Sequence, residues 1–82
     1  MPDFIDVHTG MVGVTSAALA AAHAADLAIQ DQERVSFVRA WGDPVSGTVF
    51  CLSQAPSAEA VQRIHQRAGH PPDHVYDVSV QV

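Results

Sequence analysis

Along this chain the hydrophobic period switches between two and about 3.6 residues in a set order, and that order leaves few folds open. Phe4 to His8 alternates apolar and polar residues, as a half-buried strand does. The loop Gly10-Met11-Val12-Gly13 breaks the alternation. From Ala17 to about Gln30 the chain is rich in Ala and Leu and lacks Gly and Pro, which predicts a helix. Thr15 or Ser16 caps it, because a hydroxyl oxygen accepts an orphan N–H of the first turn. Its apolar stripe runs through Leu19, Ala22 and Ile29. Val35 to Trp41 and Thr48 to Leu52 read as strands, and Gly42-Asp43-Pro44-Val45-Ser46-Gly47 joins them as a hairpin turn. Ser57 caps a second helix with Val61, Ile64 and Ala68 on its buried side. Gly69 ends that helix and Pro71-Pro72 keeps it from restarting, before a last strand from Val75 to Val80.

Two helical crossovers with a hairpin between them predict a four-stranded antiparallel sheet carrying both helices on one face. That is a ferredoxin-like α+β sandwich, filled by residues 1–82 as a single domain. By alternation Val35, Phe37 and Trp41 share one side of their strand, and Val38 and Ala40 the other. Phe50 and Leu52 likewise oppose Val49 and Cys51. Apolar residues thus lie on both faces, while the helices cover one. An open apolar sheet face marks an interaction surface, and a homodimer is the expected result.

A chain of 82 residues buries only about 60–65% of its unfolded surface and needs support from a disulfide, a metal or a partner. Cys51 is the only cysteine, which excludes an intrachain disulfide and a thiolate-rich metal site. Nine carboxylates face four arginines, Arg34, Arg39, Arg63 and Arg67, with no lysine. Such a chain has no basic stripe for phosphates, which argues against nucleic acid. No apolar stretch approaches the roughly 20 residues of a membrane helix, and no signal segment opens the chain, so a cytoplasmic location is expected. Five histidines remain to be explained: His8, His23, His65, His70 and His74.

The end of the second helix is the strongest local signal. With Gly69 in the left-handed position after the helix, a Schellman arrangement bonds the N–H of His70 to the carbonyl of His65 and brings the two side chains together. His74 and Asp73 follow just beyond the diproline. Imidazole suits nickel, zinc and copper, and carboxylate or water completes the coordination. Two neighbouring imidazoles can equally stay solvated, and geometry alone does not choose. His23 and Asp26, three apart on the first helix, share a face. They can hold an ion, although an intrahelical hydrogen bond is the commoner outcome for such a pair. Asp6 and His8 share one side of the first strand, as a polar cluster or a surface pair. Since ligation needs the neutral ring, metal affinity should fall as pH drops through about 6.5.

Other chemistries are poorly supported. There is no nucleophile elbow and no phosphate-cradling glycine loop. Cys51 lies mid-strand and reads as a small packing residue.

Four segments together carry a family resemblance: MPDFIDVHTGM, AAHAADLAIQ, AWGDPVSGTVFCLSQAPSAEAV and QRIHQRAGHPPDHVYDV. Across nearly all 82 residues the chain resembles small actinobacterial nickel-binding proteins, a family otherwise known as a domain of unknown function. The resemblance implies a ferredoxin-like dimer that binds nickel at its surface, for sequestration or detoxification. Positions matching the family include His8, His23, Asp26, His65 and His70. The resemblance does not say which of them are ligands.

The reading that results is a non-enzymatic homodimer that binds nickel, with zinc or copper competing. Its ligands are His65 and His70 first, then His74, His23, Asp26 and His8. An alternative is a dimeric α/β-barrel enzyme or small-ligand carrier, with Asp6, His8, Arg39 and Trp41 lining a cavity between facing sheets. A third is an interaction module with incidental histidines.

Overall fold

The computed structural model describes residues Met1–Val82. Its elements are β1 (Asp3–His8), α1 (Ser16–Ile29), a 3₁₀ turn (Gln30–Glu33), β2 (Ser36–Asp43), β3 (Thr48–Gln54), α2 (Ala58–Arg67) and β4 (His74–Asp77). The four strands form one antiparallel sheet in the order β2-β3-β1-β4, the α+β arrangement expected from the period switches. β4 is shorter than its sequence pattern predicts and ends at Asp77.

Local chemistry accounts for each boundary. Thr15 caps α1 by accepting the Ala18 N–H at 3.1 Å. Arg34, in the left-handed region with φ 58°, turns the chain out of the 3₁₀ segment. Ser57 accepts the Ala60 N–H at 3.2 Å and starts α2. At its other end Gly69 sits at φ 92°, the Gly69 N–H reaches Gln66 O at 3.1 Å and the His70 N–H reaches His65 O at 3.0 Å. Both bonds of the Schellman stop are present. In the hairpin turn Gly47 is obligatory: φ is +75°, and a Cβ would lie 2.5 Å from the backbone nitrogen of Val12. The loop after β1 packs on that turn and donates from Met11 N to Gly47 O at 2.9 Å.

The helices share the sheet face bearing Phe4, Asp6 and His8, each of which is buried while Ile5 and Val7 between them are only partly so. The apolar core collects under α2 from Phe4, Val35, Phe37, Ala55, Ala60, Val61 and Ile64. Simple alternation fails in β2. A bulge between Phe37 and Arg39 inverts the faces, so that Phe37 pairs with buried Ser53 whereas Trp41 pairs with exposed Phe50. Trp41 therefore does not share a side with Phe37; it lies on the open face with Arg39, whose guanidinium is 5.6 Å from its ring centroid. Phe50 and Tyr76 complete an exposed aromatic patch there. No helix is long and apolar enough to cross a membrane.

Candidate metal centre

Three elements aim polar side chains at one spot between α1 and the sheet. Alternation along β1 turns Asp6 and His8 inward, and His8 Nε2 lies 2.7 Å from Asp6 Oδ2. The Schellman stop of α2 brings His65 and His70 together, with ring centroids 5.5 Å apart. α1 supplies Asp26, whose Oδ1 is 2.8 Å from His70 Nε2 and 3.2 Å from His65 Nδ1. The Nε2 of His65 faces the other carboxylate, 2.9 Å from Asp6 Oδ2. The rings of His8 and His65 meet edge to face at 4.8 Å.

The imidazoles converge, and they do so inside the protein rather than at an exposed helix end. Asp6 and His65 are fully buried, Asp26 and His8 nearly so, and only His70 reaches the surface. Burial of two carboxylates with no arginine beside them is costly unless the imidazoles carry the compensating charge. The arginines are elsewhere: Arg63 and Arg67 each lie 2.8 Å from Glu33, and Arg39 is on the open face. Burial disfavours a charged His65, but close contact with Asp26 and Asp6 outweighs it and pushes its pKa up to about 9. For Asp6 burial acts upward, yet His65 and His8 hold the carboxyl below its ordinary value. Burial first, then the charges of Asp6 and Asp26, push the Cys51 thiol well up, so it is a poor nucleophile on its own.

Several polar atoms in this cluster have no hydrogen-bond partner although they are buried: Asp6 Oδ1, both ring nitrogens of His65, and His23 Nδ1. His65 meets both carboxylates at short range without aligning a ring N–H on either. Buried polar groups are normally satisfied, and unmet capacity of this kind is what a cation would use. Beside the cluster lies a cavity of about 120 Å³, with His23 and Asp26 above it, His8 and Cys51 below, and His70 at its side. The donor atoms of Asp6, His8, Cys51 and His65 all lie within 4.8 Å of one another, and so do those of Asp26, His65 and His70.

The structure revises several expectations. His74 is not brought to the cluster: β4 turns it to the open sheet face, its ring 4.1 Å from that of Tyr76. Asp73 is engaged by the Thr9 N–H and hydroxyl, both at 2.7 Å. His23 and Asp26 form no intrahelical hydrogen bond, because Asp26 turns to α2 and His23 lines the cavity. Of the four residues expected to line a cavity between facing sheets, Asp6 and His8 turn under the helices by the alternation of β1, and the bulge in β2 puts Arg39 and Trp41 on the opposite, open face, so the four do not share one surface. Sequence reasoning placed Cys51 as packing and left Asp6 out of the ligand set. The signal for both was their position: Asp6 follows core residue Phe4 by two, and Cys51 shares the Val49 side of β3.

A four-stranded α+β sandwich whose buried polar cluster consists of histidine, carboxylate and one thiol is a small protein equipped with donors for divalent cations. The chain belongs to the SCO4226-like family of nickel-responsive proteins, which matches residues 4–78. It is similar to SCO4226 from Streptomyces coelicolor A3(2), whose crystal structure is known. The two are 55% identical, the match covers 98% of this chain and 99% of that one, and the TM-score is 0.95. No curated protein matches the chain.

Proposed function

We propose that this chain binds nickel for sequestration, buffering or detoxification in the cytoplasm, at the donor group formed by Asp26, His65 and His70 with His23 and His8 beside it. The observation that supports this reading is the burial of two carboxylates whose only cationic partners are imidazoles, next to ring nitrogens with no hydrogen-bond partner. The name of the family, nickel-responsive proteins, points to the same metal. His70 is the group through which an ion reaches the interior, since it alone of the three is open to solvent. Nitrogen and carboxylate donors with room for water favour nickel, and they also admit zinc or copper as competitors. The metal is cargo rather than the agent of a reaction.

The open sheet face, with Trp41, Phe50 and Tyr76 exposed beside partly buried Ile5, Val7 and Leu52, is suited to a second copy of the chain. Sedimentation of the wild type and of Trp41→Glu tests the homodimer; a monomeric wild type would end that part of the reading.

Isothermal titration with nickel tests the site. Wild type should bind, and His70→Ala and Asp26→Asn should each weaken binding by on the order of ten- to a hundredfold. Unchanged affinity in both variants would remove this donor group from consideration.

A further inference from the structure

We propose that Asp6, His8, Cys51 and His65 form a second, closed metal site, which takes a four-coordinate thiophilic ion of the zinc type. It does not depend on the nickel reading, because it uses a different set of atoms. His65 Nε2 faces Asp6, whereas Nδ1 faces Asp26, so with an ion on Nε2 the neutral ring keeps its Nδ1 proton toward Asp26 and leaves Asp26 and His70 to the nickel group.

Three observations support the assignment. First, the register places Asp6 directly opposite Cys51 across the β1–β3 ladder, with His8 two residues along on the same face. Neighbours of this kind have Cβ atoms about 4.5–5.5 Å apart, which suits two ligands of one ion. Second, Asp6 is fully buried and its Oδ1 has no partner, and His65, equally buried, has no hydrogen bond on Nε2. A buried cysteine that only fills space does not call for a carboxylate beside it with one oxygen unmet, since valine or alanine would pack there without that cost. Third, all four donor atoms lie within 4.8 Å of one another. Four ligands at about 2.0–2.3 Å in tetrahedral geometry are roughly 3.3–3.8 Å apart. The present His8–Asp6 and His65–Asp6 distances of 2.7 and 2.9 Å must open by several tenths of an ångström, and no separation needs to close by more than about one.

The chemistry of the set also separates it from the nickel group. It has two imidazoles, one carboxylate and one thiol, all buried, with no position left for bulk water. Binding releases two protons to solvent, one from the Cys51 thiol and one from Nε2 of the charged His65 ring, leaving a thiolate and a neutral imidazole as ligands. His8 and Cys51 line the cavity, which gives an ion a path to them.

Cobalt is the probe for the test. Titrated into the full chain, one equivalent should give the intense visible bands of four-coordinate cobalt with a near-ultraviolet sulfur-to-cobalt charge-transfer band, and zinc should erase both. Cys51→Ser should abolish the charge-transfer band and weaken binding by more than the roughly tenfold that loss of even an outer partner costs. The double variant Asp26→Asn/His70→Ala should keep the band although its nickel binding is lost, so the two sites can fail separately. A pale six-coordinate spectrum, a band that survives Cys51→Ser, or a band lost in the double variant would overturn the proposal. Should Cys51→Ser fail to fold, zinc-edge absorption of the wild type decides: a zinc–sulfur distance near 2.3 Å supports the site, and nitrogen and oxygen neighbours alone refute it.

Discussion

The two helices lie on the same sheet face but are held to it by opposite means. α2 buries Ala60, Val61, Ile64 and His65 and carries the core with it. α1, four residues longer, buries a single side chain, and that side chain is the carboxylate of Asp26. Beneath α2 the packing is apolar; beneath α1 there is a cavity with histidines on both sides. The difference is one of division of labour. α2 is the scaffold that fixes His65 and His70, and α1 is a roof attached through ion pairs that an incoming cation would compete for. Binding regions are commonly drawn from the less stable part of a fold, and α1 fits that pattern.

Truncation should therefore hurt α2 far more than α1. Ile64→Ala removes a fully buried side chain and should cost about 3–4 kcal/mol in denaturant unfolding. Leu19→Ala, at the edge of the cavity, should cost about 1 kcal/mol because its site is only partly buried. Equal losses would erase the distinction.

Titration separates the helices in a second way. His65 is raised from 6.5 to about 9, so its stabilisation is complete below 6.5 and is lost as pH rises through about 9. Asp6 is lowered from 3.8, so its contribution is complete above 3.8 and is lost as pH falls below that value. Stability should therefore be flat between about 3.8 and 6.5 and decline on the alkaline side by roughly 3 kcal/mol at most. The decline should begin in α1, where Asp26 loses its charged partner, while the apolar contacts of α2 persist. Hydrogen exchange measured at several pH values reads this directly; protection lost from α2 first would contradict it.

Asp26→Asn isolates the attachment of the roof. The amide keeps the shape but loses the charge facing His65 and His70, at a cost of about 1–3 kcal/mol. Faster amide exchange should be confined to α1. A uniform change across both helices would show that Asp26 supports the whole fold rather than one element.

The same contrast marks what could be read from the sequence. α2 was legible almost to the residue, because a serine cap, an apolar stripe and a glycine stop are local signals. The Schellman bond between His70 and His65 followed from Gly69 alone. α1 was legible as a helix, but its stripe of Leu19, Ala22 and Ile29 is only partly buried, and its purpose lies in Asp26. Nothing local says that a carboxylate in an alanine-rich helix points at the end of another helix, 44 residues away in sequence. The bulge at Phe37 and Arg39 was hidden for the same reason, since it is a property of pairing with β3 rather than of β2 itself. Asp6 and Cys51 became visible as a pair only with the register.

His74 provides the smallest expected effect and a sharp test of where the scaffold ends. Five histidines in a short chain invite the idea that all of them gather metal. The stop at Gly69 fixes His70 beside Asp26, but the diproline then carries the chain into β4, where His74 pairs with Val7 and faces away from the cluster. Its ring rests against Tyr76, exposed to solvent, and its loss removes little buried surface. His74→Ala should change stability by no more than about 0.5 kcal/mol and leave nickel affinity within about twofold of wild type. A tenfold loss of affinity in that variant would mean that the ion is captured on the open face. The roof over the cavity would then have no part in holding it.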